Sequence, residues 1–328
     1  LGLLIYNAGS GSAAAHSPDD LLQALRFRGA EVRLHECTEG EDLQKIAADA
    51  VAAGEPWIAA AGGDGTVEAV AKALLGTATT LGVIPCGTYN NFALSAGIPA
   101  DPIEACHLIA AGPTRTVDVG LVNGEPFFEC VGVGLDAALF PLGEEIKSGA
   151  VGKTWDLFRR ASAYPLHRFE IEIDRPFGEA LVSTAKNRSQ RRLESAFRSI
   201  RHRRLRVRAL MITVSNAPYY GMNFTVAPDA RLDDGLLTIA IFKRYSKFQL
   251  WWHYFSIRAG RKVYSPRLIT LRAKHVRISY RRRLHVHADG CPFEGWPVEI
   301  SIRHAALRVF TESATPRPMA DDKSPAGH

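Results

Sequence analysis

Several things are scarce in this 328-residue chain, and each scarcity excludes a class of protein. It has five cysteines, Cys37, Cys86, Cys106, Cys130 and Cys291, scattered with no CxxC spacing. That pattern excludes a disulfide framework or a paired-cysteine zinc site and fits a reducing compartment. No apolar run approaches the roughly 20 residues of a bilayer-crossing helix. The longest aromatic-rich stretch, residues 250–257, is short and contains His253. Leu1 opens directly into an apolar, strand-like run, without the basic and then apolar segments of a signal peptide, so none is expected. No internal repeat is found. Compositional bias is also missing: 46% hydrophobic and 23% charged residues are close to a globular average, which excludes whole-chain disorder, collagen and coiled coil. The length suits two domains.

Charge is plentiful but segregated. The net +6 hides two basic stretches. Residues 186–208 hold ten Lys/Arg and one acid, Glu194, and residues 243–288 hold thirteen Lys/Arg and no acid. Together they sum to +22, which leaves the remainder at −16. Such segregation points to an anionic surface or partner for the second half.

The first 120 residues alternate strand and helix signals. Apolar runs at residues 1–6, 32–35, 57–61 and 81–84 read as strands. Residues 18–28, 42–51 and 67–75 carry helical spacing, for example Leu21, Leu22 and Leu25 on one face. This alternation predicts a parallel sheet covered by helices, with ligands bound at the carboxyl ends of its strands. After about residue 115, strands dominate: 115–122, 127–133, 166–173, 207–215, 236–242, 267–271, 276–280 and 284–288. Asn123-Gly124 and Asp289-Gly290 are tight-turn dipeptides. Residues 179–204 read as an exposed loop or a frayed basic helix, and the proline-containing end after Thr311 as a disordered tail.

Three glycine-rich breaks carry chemistry. Gly62-Gly63-Asp64-Gly65-Thr66 follows a strand and opens a helix. Glycines let the backbone approach a phosphate, N–H groups point at its oxygens, and the helix N-terminus favours negative charge. Thr66 caps that helix or donates to phosphate, while Asp64 suits a metal or a substrate hydroxyl better than a phosphate. Pro85-Cys86-Gly87-Thr88-Tyr89-Asn90-Asn91-Phe92-Ala93 follows the next strand as a second wall, and Asn7-Ala8-Gly9-Ser10-Gly11 supplies a third loop after the first strand.

Together these segments resemble the catalytic domain of the diacylglycerol kinase family, in its bacterial soluble lipid kinase branch. Gly62–Thr66 matches the family's Gly-Gly-Asp-Gly-Thr loop, and residues 7–11 its Asn-Pro-x-Ser-Gly loop, with Ala8 and Gly9 as departures. Pro85–Ala93 matches with Asn91 where Asp is usual. Val117-Asp118-Val119-Gly120 and Leu232-Asp233-Asp234-Gly235 match two further motifs. Asp289-Gly290-Cys291-Pro292 stands for a late Asp-Gly-Glu-Pro turn. The resemblance implies an α/β nucleotide-binding domain with a parallel sheet, plus a second, antiparallel β-rich domain. It implies residues 1–122 with a return of 303–312, then 123–302, and a tail at 313–328. It also implies ATP between the domains, lined by Asn7, Ser10, Gly11, Thr38, Gly62, Gly63, Asp64, Gly65, Thr66, Val67, Glu68, Thr88 and Asn90. Mg²⁺ is implied at Asp234, with backbone contacts at Arg231 and Leu236, and a network through Asp118. The expected reaction is ATP-dependent phosphorylation of a lipid hydroxyl, on a diacylglycerol-like or sphingoid acceptor at an anionic membrane surface.

Cys291 stands where the family has a Glu, its expected general base. A thiol is a poor substitute. Asp64, Asp289 and Glu294 are the candidate replacements, with Asp64 preferred for its place in the phosphate loop. On a helix, Phe248, Trp251, Trp252 and Phe255 share a face flanked by Lys and Arg, as an interfacial helix would, although a core helix is the commoner origin of such a face. Arg281-Arg282-Arg283 reads as a solvated strand edge. No helix-turn-helix, RNP-type or zinc pattern marks a nucleic-acid partner. A cytoplasmic protein, peripheral at the inner membrane face, is expected, and the reading allows a homodimer. The competing readings are an NAD kinase-like enzyme, whose superfamily also uses a Gly-Gly-Asp-Gly loop, and a catalytically weak ATP- and membrane-binding regulator.

Overall fold

A computed structural model describes residues 1–9, 16–138, 159–160, 163–182, 188–221, 224–225, 227–243 and 268–312. Ser10, Gly11, the aromatic stretch after Lys243 and the tail after Glu312 lie outside the described residues. The chain divides into two compact units, residues 1–116 with the chain from Arg308, and residues 117–307.

The first unit runs β1 (Gly2–Tyr6), α1 (Pro18–Phe27), β2 (Val32–Glu36), α2 (Leu43–Ala52), β3 (Trp57–Gly62), α3 (Asp64–Leu74), β4 (Thr80–Pro85), α4 (Asn91–Ser95) and α5 (Pro102–Ala111), and then enters β5 (Thr114–Val122). Its strands pair in parallel in the order β2-β1-β3-β4. Every residue of β1 and β4 is buried, as expected for a parallel sheet covered on both faces. Local chemistry sets the helix starts. Ser17 and Asp20 form a reciprocal capping box at α1, and Asp101 caps α5 ahead of Pro102. Leu21 and Leu25 of α1 and Cys106 and Ile109 of α5 close over Leu4, Ala59 and Ile84. Chain order 2-1-3-4 makes the junction of β1 and β3 the topological switch point, where the following loops diverge and leave a crevice.

The second unit is a β-sandwich. It contains β6 (Glu125–Phe127), β7 (Cys130–Gly134), β8 (His167–Ile173), α6 (Phe177–Ala180), β9 (Leu181–Val182), α7 (Arg188–Arg198), β10 (Arg204–Ala209), β11 (Met211–Ser215), β12 (Tyr219–Tyr220), β13 (Phe224–Thr225), β14 (Leu237–Phe242), β15 (Leu268–Ala273), β16 (His275–Ser279), β17 (Val286–Ala288), β18 (Cys291–Pro292) and most of β19 (Val298–Phe310). One antiparallel sheet runs β10-β8-β16-β19. The other runs β18-β17-β7-β11-β14-β15-β9. Alternate residues of both, such as Phe169, Ile171, Val276 and Ile278 against Val131, Val133, Ile212 and Ile239, form one core.

Three sequence expectations change. The run 127–133 is not one strand. It breaks at Phe128–Glu129 because their N–H groups bond a side chain, described below, rather than a ladder partner. Arg281–Arg283 lies in an exposed bend between β16 and β17, not on a strand edge. The run 207–215 is likewise two strands, β10 in one sheet and β11 in the other, while within 179–204 the basic helix α7 is the helical alternative of the sequence reading. The segment's basic residues are partly neutralised, since Arg204 and Arg206 of β10 meet Glu172 and Glu170 of β8 at 2.9 and 3.5 Å. The division between the two units falls inside β5 and β19. A continuous strand carries no turn signal where one core gives way to another.

Candidate active site

In the first unit, three loops meet beyond the carboxyl ends of β1, β3 and β4. Asn7, just after β1, donates from Nδ2 to Thr66 Oγ1 at 3.0 Å, and its Oδ1 accepts the Gly9 N–H at 3.1 Å. Thr66 is buried on the first turn of α3. Asp64, at the first position of α3, accepts the Phe92 N–H at 3.3 Å as well as backbone bonds from Asn90 and Asn91. The Asp64 carboxylate therefore ties the phosphate-type loop to the β4 loop. Burial pushes its pKa up, and these backbone donors oppose the shift only in part. Close approach of the two loops demands glycine: a Cβ on Gly87 would lie 2.4 Å from Gly63 Cα. Asn90 takes the left-handed conformation, φ 51°, and its side chain bonds both Gly87 N and Gly87 O.

The result is a backbone-lined cradle at the N-terminus of an eleven-residue helix. The first N–H groups of such a helix have no intrahelical acceptor, and the dipole favours an anion there. Gly62, Gly63, Gly65, Val67 and Glu68 belong to this loop and helix, with Glu68 ion-paired to Lys72 at 2.6 Å. Thr88 is exposed in the β4 loop. Thr38 follows β2, its N–H bonded to Glu41 at 2.9 Å.

In the second unit, Asp118 of β5 is an organising carboxylate with 1% exposure. Oδ2 accepts the Gly235 N–H at 2.6 Å, and Oδ1 accepts the Ala305 N–H at 2.8 Å and His304 Nδ1–H at 2.6 Å. The Asp118 backbone is tied as well: its N–H donates to Leu232 O at 2.6 Å, and its carbonyl accepts Asn216 Nδ2 at 3.0 Å. Asp118 thus pins the Leu232–Gly235 loop. In that loop, Asp234 accepts the Leu236 N–H at 3.1 Å through Oδ1 and pairs with Arg272 through Oδ2. Arg231 pairs with Asp233 at 3.1 Å.

The late Asp-Gly turn closes the β17–β18 hairpin. Asp289 and Gly290 both have positive φ, 46° and 84°, as a two-residue type I′ turn requires. The Asp289 carboxylate accepts three successive backbone N–H groups, from Phe128 at 2.5 Å and from Glu129 and Cys130 at 2.9 Å. These three donors occupy the carboxylate, so its geometry is that of a clamp across the turn. Cys291 is exposed beside it. The Glu294 side chain is 92% exposed, 4.0 Å from Arg283.

Sequence reasoning missed His287 and Asp136. Two residues before the Asp-Gly turn, His287 is buried on a strand, where a lone histidine reads as core. Asp136 follows a Gly-x-Gly run with no motif of its own. Their side chains meet at 2.9 Å over Gly132.

Comparison with known proteins agrees with this architecture. Residues 2–122 match the diacylglycerol kinase catalytic domain, and residues 184–311 match the YegS C-terminal NAD kinase beta sandwich-like domain. A "Probable lipid kinase YegS-like" of Pseudomonas fluorescens is 27% identical over 297 residues, covering 90% of each chain. A "Diacylglycerol kinase" of Bacillus subtilis is 27% identical over 297 residues, covering 88% of each. Among solved structures, a diacylglycerol kinase from Bacillus anthracis shares the fold, with TM-score 0.67 and 21% identity over 94% of this chain and 96% of that one.

Proposed function

This chain belongs to the diacylglycerol kinase catalytic-domain family, and from that premise we propose that it is a lipid kinase transferring the γ-phosphate of ATP to the hydroxyl of a diacylglycerol-like or sphingoid lipid at a membrane surface. The observation that carries the nucleotide half is the three-loop junction held by Asn7–Thr66 and Asp64–Phe92 with Gly63 and Gly87 in contact. A triphosphate finds backbone N–H donors there, and Asp64 holds the loops in register. In a loose phosphoryl-transfer transition state, charge spreads over the transferred oxygens, so preorganised donors supply most of the catalysis.

Residues 231–236 carry the Asp234 carboxylate and the carbonyls of Arg231 and Leu236, oxygen donors of the kind Mg²⁺ takes. Arg272 pairs with Asp234 Oδ2 and Oδ1 accepts the Leu236 N–H, so an ion there would share Oδ1 with that donor. Mg²⁺ bound there would neutralise phosphate charge. Asp118 holds this loop in place and contacts no substrate in the proposal.

The test is transfer of label from [γ-³²P]ATP to a panel of diacylglycerol, monoacylglycerol, ceramide and sphingosine in mixed micelles, with NAD as a separate acceptor. Labelled lipid is expected. Labelled NAD with no labelled lipid would favour an NAD kinase, and ATP binding without any labelled product would favour the regulatory reading.

A further inference from the structure

The sheet face opposite the sandwich core is polar and buried. Cross-strand partners share a face, so the pairings place His287, Gly132, Thr213, Ala240 and Thr270 in one row, with Cys130, Ser215, Thr238 and Arg272 in the next. Thr213, Ser215 and Thr238 are each 1% exposed, and their hydroxyls have no hydrogen-bond partner among the described residues. A buried hydroxyl without a partner costs free energy, so three together on one face point to a ligand that supplies the partners.

At one end of this face stands a constructed carboxylate–histidine pair. His287, 2% exposed, bonds Asp136 Oδ2 through Nε2 at 2.9 Å. Its Nδ1 accepts the Gly290 N–H of the Asp-Gly turn at 3.4 Å, which leaves the ring proton on Nε2, facing the carboxylate. Tyr220 stacks on the ring, centroids 5.2 Å apart and planes at 9°, with its hydroxyl 3.2 Å from Nε2. Gly132 is required beneath the pair: a Cβ there would lie 2.1 Å from His287 Nε2 and 2.6 Å from Asp136 Oδ2. Among the described residues Asp136 bonds His287 through Oδ2, and its side chain is 22% exposed. Among the described residues, Asp136 acts electrostatically on Cys130 and Tyr220, as do Glu129 and Asp289, and it bonds His287.

We propose that Asp136, oriented by His287, receives the proton of the acceptor hydroxyl, the role left open by Cys291, with the Thr213, Ser215 and Thr238 hydroxyls binding the acceptor's polar head. The assignment rests on the lipid kinase reading. In the step, the acceptor oxygen bonds to the γ-phosphorus as the bond from that phosphorus to the β–γ bridging oxygen breaks. ADP leaves with the electron pair, and the hydroxyl proton passes to Asp136 Oδ1 and then to water. Asp64 is the rival proton acceptor, but its carboxylate is occupied by the β4 loop, and Asp289 is occupied by three amides. His287 is a positioning residue: its N–H, 2.9 Å from Oδ2, fixes the orientation of the Asp136 carboxylate.

The test uses the full chain, the micelle lipid panel and [γ-³²P]ATP. Asp136→Asn, isosteric and able to accept the His287 N–H, is expected to lower kcat by roughly 100-fold or more, with KM for ATP within twofold. His287→Gln, which keeps a side-chain N–H, is expected to retain more of kcat than His287→Leu, with KM for ATP within twofold in both, a rescue by the conservative variant that a loss of folding does not give. Labelled lipid from Asp136→Asn at near wild-type kcat, or equal kcat in His287→Gln and His287→Leu, overturns the assignment alone. Absence of labelled lipid from the unmodified chain overturns the lipid kinase reading and this assignment with it.

Discussion

Asp64 shows how one side chain can cost stability and serve a site. Its folded pKa lies above the unfolded value because burial outweighs its hydrogen bonds. The native state therefore binds more protons than the unfolded state just above pH 4, and stability falls as pH rises through that window. At neutral pH the charge is a net cost, so Asp64→Asn is expected to raise Tm by about 1–3 °C at pH 7 and not at pH 3, measured by calorimetry. Gly87 is constrained by its neighbour: Gly87→Ala forces the phosphate loop and the β4 loop apart, with an expected loss of turnover of roughly 100-fold, read in the micelle assay. Among the thiols, burial pushes Cys37 and Cys86 up to about 11 and Cys106 up to about 12, and raises Cys130 further. Iodoacetamide at pH 7.5 should alkylate the exposed Cys291 first, with peptide mass spectrometry as the readout; prior labelling of Cys37 would contradict this order.

The β17–β18 hairpin shows what can be read at the scale of the element. Asp289-Gly290 is recognisable as a tight turn from the dipeptide alone, because few residues other than Asn, Asp and Gly tolerate positive φ there. That the same Asp clamps Phe128, Glu129 and Cys130 is invisible in sequence, since the partners lie about 160 positions away. Asp289→Ala leaves three backbone donors without an acceptor and is expected to destabilise the chain by about 2–4 kcal/mol, measured by urea unfolding. Asp289→Asn, which keeps an acceptor, should lose less; equal losses would mean the clamp contributes nothing beyond the turn. In the first unit the glycine loop, its helix and the flanking strands were all readable, because each carries a local signal: an apolar run, a glycine break, then helical spacing. The link from Asn7 to Thr66 was not, since it spans 59 positions and depends on β1 and β3 being neighbours.

At the scale of the molecule, the chain returns to its first unit through the end of β19. Val309 pairs in parallel with Leu81 of β4, Thr311 Oγ1 donates to Ala96 O at 2.7 Å, and Arg115 Nε donates to Glu312 O at 2.7 Å. A chain stopped at Leu307 exposes that side of β4, an open strand edge that templates aggregation; it should elute as aggregate in gel filtration, whereas a chain stopped at Glu312 should not. The net +6 that opened onto an anionic partner also looks different once the sheets are assembled. Arg204, Arg206 and Arg277 pair with Glu172, Glu170 and Glu299, so part of the basic excess serves strand pairing and is withdrawn from any lipid surface. By itself the sequence determined the element types, the two-unit plan and the phosphate-type loop, because periodicity and glycine spacing act within a few residues. Only the tertiary structure decided which carboxylates are occupied, Asp64 by a loop, Asp289 by three amides and Asp118 by Gly235 and Ala305, and that Asp136 lies against His287. Those facts depend on strand register across the sheets, which no local stretch of sequence encodes.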